Sequence, residues 1–210
     1  MGLHSESKGK LLELEILKFI NYRFIQLGEV VTSRLNFVVI SHVHGDHTGG
    51  LKLVASIKPG LKVYIPPDPD LLEYIRSIDL QPVVVNDTME ISSGVYVIKP
   101  LYGLPLEGAV AINTSKGLLI LVGYSHPGVV SIVKQTLNDL GVKPYIVIGG
   151  FHMSGASISE VEEVVSRLLQ LGVENIYPIH CSGEGIREYL ARHYGDAYRD
   201  GGVGVEIAIK

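Results

Sequence analysis

Residues 37–50 read Phe37-Val-Val-Ile-Ser-His-Val-His-Gly-Asp-His-Thr-Gly-Gly50, an apolar run that ends in three histidines and an aspartate within six positions. The run Leu35 to Ile40 predicts a buried strand. In extended chain, side chains at i and i+2 point to the same side, so His42 and His44 converge on one point. Gly45 permits a tight turn, and Asp46 and His47, at the mouth of the next helix, face a second point a few ångströms away. This differs from the helical His-Glu-x-x-His pattern, in which the paired histidines stand four apart. With eight histidines and eight aspartates in 210 residues, such a quartet arises by chance in roughly one chain in two thousand. Imidazole and carboxylate donors favour zinc, iron, manganese or nickel over calcium, which takes oxygen ligands. The plainer alternative is a strand end whose rings hydrogen-bond to nearby backbone.

Outward from this stretch, short apolar runs alternate with amphipathic ones, the rhythm of an α/β chain. Helices are predicted at Thr48–Ile57, ended by Pro59-Gly60, and at Asp70–Ile78 with Asp70 as N-cap. Strands are predicted at Leu61–Ile65, Val83–Val85 and Val95–Ile98. Val110–Ile112 and Leu118–Val122 flank a hairpin turn. Pro127–Leu140 reads as a helix with proline in its first turn and Gly141 as its stop. Strand, helix, strand, helix and strand follow at Tyr145–Ile148, Ile158–Leu171, Ile176–Ile179, Ile186–His193 and Val203–Ile209. Leu11–Ile20 reads either as a helix or as two strands.

Three more histidines follow apolar strands: His126 after LLILVGYS, His152 after YIVIGGF, and His180 after NIYPI. Ligands in open α/β sheets bind beyond strand ends, so these rings can meet the quartet in one pocket. His4 and His193 lack that context and read as surface residues.

Composition narrows the class further. At 46% hydrophobic and 19% charged residues, the chain is too apolar for intrinsic disorder. Its longest wholly apolar runs fall far short of a membrane span. The start, MGLHSESKGK, has no signal-peptide h-region, and a cytoplasmic location is the expectation. Net charge is −4 with scattered lysines and arginines, so no nucleic-acid partner is expected. A single domain over residues 1–210 fits the length.

The segment SHVHGDHTGGL resembles the metal-binding motif of the metallo-β-lactamase superfamily. Followed in order by GYSHPGVV, GGFHM and PIHCSG, it is similar to the branch of metal-dependent hydrolases that resembles dihydropterin-ribofuranosyl-aminobenzene-phosphate synthase. The resemblance covers about residues 36 to 205. It implies a four-layer αββα sandwich with a one- or two-metal site at the shared edge of its two sheets. It further implies that His42 and His44 hold the first ion, that Asp46 and His47 hold the second, and that His126 and His180 are ligands. Two departures stand out. No aspartate precedes Asp46, which marks residues 1–34 as a short or remodelled N-terminal part, and Tyr124 stands where many relatives carry Asp or Cys.

The chemistry expected is attack by a metal-activated water on a small phosphorylated or otherwise anionic substrate, with Zn²⁺, Mn²⁺ or Fe²⁺ as the ion and Asp46 as the group that orients or deprotonates the water. Helix starts near Pro127, Ser157 and Gly185 favour an anion, though turn residues that merely begin helices read the same way. His152, Tyr124 and Ser182 are candidates for contact with ligand or substrate. Ser159-x-x-Glu162 reads as a capping box, and Cys181 as a packing group rather than a nucleophile. RNA phosphodiester cleavage and metal binding without turnover are the alternatives. The number of subunits is open.

Overall fold

The structure is a computed structural model that describes residues 2–7, 10–15, 35–202 and 205–209, the first two stretches as backbone. Twelve strands, β1 (Gly2–Ser7), β2 (Lys10–Glu15), β3 (Val38–Val39), β4 (Lys62–Ile65), β5 (Gln81–Val84), β6 (Met89–Ser92), β7 (Val95–Leu101), β8 (Glu107–Thr114), β9 (Gly117–Val122), β10 (Pro144–Gly150), β11 (Asn175–Ile179) and β12 (Ile207–Ile209), are described. The helices are α1 (Gly45–Thr48), α2 (Leu51–Ile57), α3 (Pro69–Ser77), α4 (Val129–Leu140), α5 (Ile158–Gln170) and α6 (Glu184–His193).

The larger sheet runs β11-β10-β9-β8-β7-β6. Its first three strands are parallel, and the rest are antiparallel meanders. β3-β4-β5 form a parallel sheet, and β12-β1-β2 a third. Alternation along each strand builds the layers. In β9, Leu118, Ile120 and Val122 pack with Ile132 and Val133 of α4 and Val165 and Leu168 of α5, while Leu119 joins Ile207 of β12 on the opposite face. In β4, Val63 and Ile65 pack with Leu51 and Val54 of α2 and Ile75 of α3, while Tyr64 meets Val97 of β7. Helices therefore cover the outside of both sheets, and the inner faces pack on each other. This is the expected αββα sandwich. Each fully buried Leu or Ile contributes about 1.5–3 kcal/mol of burial free energy.

Several boundaries differ from the sequence expectation, for local reasons. The helix expected at Thr48–Ile57 is broken at Gly49-Gly50, and Gly50 caps α2. Asp68, not Asp70, is the N-cap of α3, its carboxylate accepting from Leu71 N at 2.7 Å with Pro69 at the first helical position. Pro127 precedes α4 instead of opening it; the N-cap is Gly128 at φ 86°. The capping box of α5 is Ser157 with Glu160, two residues before the pattern read from sequence. The strand expected over residues 35–40 pairs only at Val38–Val39, and β6 lacked any sequence signal. The hairpin turn is shorter than expected, with Thr114 pairing Gly117. Lys10–Glu15 is a strand, and residues 16–34 lie outside the described residues.

Candidate metal centre

β9, β10 and β11 run parallel and end along one rim. Just beyond them stand Ser125, His152 and His180, each a non-glycine residue at positive φ: 66°, 57° and 55°. Three left-handed turns in a row at adjacent strand ends are costly and concentrate where a site is built. The segment after β3 reaches the same rim from the other sheet. Gly108 N donates to Ser41 O at 2.9 Å, and a Cβ at Gly123 would lie 2.1 Å from Ser41 Oγ, so only glycine there lets the two sheets close at this point.

The geometry gathers two groups of three. The ligand-type atoms of His42, His44 and His126 lie within 4.8 Å of one another, as do those of Asp46, His47 and His180. The groups adjoin: the His42 and His47 ring centroids are 4.0 Å apart. Asp46 Oδ2 is 3.4 Å from His47 Nε2 and 3.7 Å from His180 Nε2. All six residues singled out from sequence as ligands are thus brought together, from three separate stretches of chain. Tyr124 sits among them, its ring stacked on His126 at 4.6 Å and 14°, 4.7 Å from His152 and 5.4 Å from His180. His152 lies at the exposed margin, 5.5 Å from His126.

Ser182 does not face this cluster. Its buried hydroxyl accepts from Phe151 N at 3.0 Å and lies 2.7 Å from Ile179 O and 3.2 Å from Gly149 O, so it ties β10 to β11. Ser125 ties β9 to β10 in the same way, donating to Gly150 O at 2.6 Å. Cys181 Sγ donates to Tyr124 O at 3.5 Å, a packing contact.

One residue escaped the sequence reading. Glu107, the first residue of β8, is fully buried beneath the rim. Oε1 accepts from Tyr124 N at 2.6 Å and Ser125 N at 2.8 Å; Oε2 accepts from His126 N at 2.8 Å and lies 2.8 Å from His126 Nδ1. Burial pushes this carboxyl up, but the N–H groups of Ser125, Tyr124 and His126 outweigh it, and the acid is held below its ordinary value. An ionised carboxylate only accepts, so the proton of His126 is on Nδ1 and the Nε2 lone pair is available to a ligand. The signal in the sequence was an isolated Glu opening an apolar strand, since glutamate is rarely fully buried unless paired.

His42 supplies the test of fit for a cation. Its ring is fully buried, Nδ1 is 3.0 Å from Ser41 Oγ, and Nε2 has no hydrogen-bond partner among the described residues. A buried, unpaired ring nitrogen costs about 1–3 kcal/mol unless something occupies it. Burial first, then the neighbouring His47, lower its pKa to about 3; Glu107 pulls upward, and His126 and His44 add smaller downward contributions. The ring is therefore neutral, the form that ligates metal. Three imidazoles in one group, and two imidazoles with a carboxylate in the other, suit zinc-like ions.

Residues 32–140 match the family model described as the metallo-beta-lactamase superfamily. A curated protein of Methanocaldococcus jannaschii, 7,8-dihydropterin-6-methyl-4-(beta-D-ribofuranosyl)-aminobenzene-5'-phosphate synthase, is 29% identical over 206 aligned positions that cover 76% of this chain and 70% of that one. Among solved structures, a metal-dependent hydrolase of the beta-lactamase superfamily superposes with a TM-score of 0.76 at 22% identity, over 97% of this chain and 95% of its own. A diphosphatase of the PhnP family superposes with a TM-score of 0.58 at 15% identity, over 98% and 82%. With the matched segment spanning the histidine motif and more than half of the sequence, the chain belongs to the metallo-beta-lactamase superfamily.

Proposed function

We propose that this protein is a metal-dependent hydrolase acting on a small anionic, phosphorylated substrate, with zinc as the resident ion and manganese or iron as substitutes. The observation that carries the reading is the pair of three-ligand groups that meet at one rim, one of them containing a buried nitrogen, His42 Nε2, with no hydrogen-bond partner among the described residues. In this reading His42, His44 and His126 hold one ion, and Asp46, His47 and His180 the other. Divalent ions there would supply Lewis-acid polarisation and lower the pKa of water toward about 7.

The chain's own groups do the rest. Glu107 fixes the tautomer of His126 and, through three backbone N–H groups, the turn that presents it. Asp46, with its side chain 44% exposed, is the acidic group of the cluster open to solvent, and it orients the attacking water and accepts its proton. The ring of Tyr124 walls the space between the two groups. Phosphate chemistry is favoured by the similarity to a protein named as synthase of a 5'-phosphate compound. A small substrate is favoured over RNA because the charged residues form no basic run and the net charge is −4. No helix among the described residues is long and apolar enough to cross a membrane.

The test is a screen of zinc-loaded and chelated protein against phosphomonoesters, phosphodiesters, lactones and thioesters, alongside Asp46→Ala. The expected result is one activity lost by about 10²-fold or more on both chelation and substitution. A hydrolytic signal that survives both treatments would contradict the assignment.

A further inference from the structure

Beside the metal-ligand cluster, between the turn after β10 and the outer face of α5, runs a groove of about 330 Å³. His152 forms its near end, and that ring is 4.7 Å from Tyr124 and 5.5 Å from His126, so the groove adjoins the candidate centre across this ring. Its walls are the half-buried apolar side chains of Val130, Met153, Ala156 and Val164.

The polar residues of the far end already have partners. Glu160 accepts from Ser157 N at 2.8 Å and Ser157 Oγ at 2.7 Å within the capping box, and Glu163 Oε1 is 2.6 Å from Arg167 Nη2. What the groove offers a neutral occupant is the apolar part of its lining, Val130, Met153, Ala156 and Val164. Two carboxylates and one guanidinium also make the far end unsuited to a second anionic group. The volume falls at the lower end of the range for small-molecule sites, enough for a ring or a short alkyl chain.

We infer that this groove receives the non-reacting arm of the substrate, and that this arm is a neutral apolar group, aromatic or short-chain aliphatic, attached to the anionic head that sits at the metal centre. The inference rests on the hydrolase reading for the position of the head. It makes Met153 and Ala156 specificity-determining residues, and His152 the wall shared by head and arm. Met153 fits a ring in particular, since its thioether adapts to and attracts aromatic faces.

Calorimetric titration of the zinc-loaded protein with methylphosphonate, butylphosphonate and phenylphosphonate tests it. Removing four to six carbons from water in the groove predicts an affinity for the phenyl compound roughly tenfold or more above the methyl compound. Ala156→Trp, which fills the groove, abolishes that difference; Met153→Ala reduces it several-fold without adding bulk. Equal affinities across the series in a protein that shows chelator-sensitive turnover would overturn the groove assignment and spare the hydrolase reading. A steep series that persists in both variants would likewise overturn it, placing the arm elsewhere. Absence of binding by all three, together with absence of metal-dependent turnover, would overturn both.

Discussion

At the level of single residues, Glu107 is the buried carboxylate that holds the turn presenting His126. It acts on the cluster through backbone N–H groups and one ring nitrogen, from a position 19 residues before His126. Its one local signal, a lone Glu opening an apolar strand, shows that the carboxylate is paired but not with what. Removal of its charge is informative. Glu107→Gln keeps the shape but weakens the grip on His126 Nδ1–H, and zinc affinity at the His42, His44 and His126 group is expected to fall about 10–100-fold in a competition titration. Affinity unchanged within twofold would show that the carboxylate serves folding alone.

The buried His42 also sets a pH dependence for the metal-free protein. Its folded pKa is lowered to about 3 from 6.5. Between those values the unfolded chain binds more protons than the folded one, so stability is full above pH 6.5 and is lost as pH falls toward 3. Glu107, also lowered on folding, adds loss in the same direction at more acid pH. Urea unfolding of chelated protein is expected to show clearly lower stability at pH 5 than at pH 7.5, and His42→Gln to flatten that difference. A slope of the opposite sign would contradict the burial argument.

For the elements, periodicity located nearly every helix and strand of the larger sheet, while capping residues were misplaced by one or two positions. Serines at 157 and 159 both precede a glutamate by three, so that spacing alone does not choose between them. The helix begins where Ser157 closes the reciprocal bonds with Glu160. Ser157→Ala is therefore expected to cost about 1 kcal/mol, a fall of roughly 2–4 °C in melting temperature for a chain of this size. Ser159→Ala is expected to stay within about 0.5 kcal/mol. Equal losses from both would place the cap wrongly. The missed strand β6 has an alternating burial pattern with exposed Glu90 and Ser92, polar enough to read as a loop.

Across the whole molecule, the layers could be anticipated but the closure of the chain could not. The pairing of Leu3 with Ile207 joins the two ends of the sequence, and no local pattern encodes a contact over such a separation. The rim is likewise a product of the whole fold. Ligand-type residues from positions 42–47, 126 and 180 meet only because the two sheets close at Ser41 and Gly123 and three parallel strands end together. Anomalous diffraction at the zinc edge, on crystals grown with zinc, tests that convergence most directly. Two peaks are expected, one within about 2.0–2.2 Å of nitrogens from His42, His44 and His126 and the other within the same distance of Asp46, His47 and His180 donors. No peak at the rim, with those rings turned away from one another, would contradict the account.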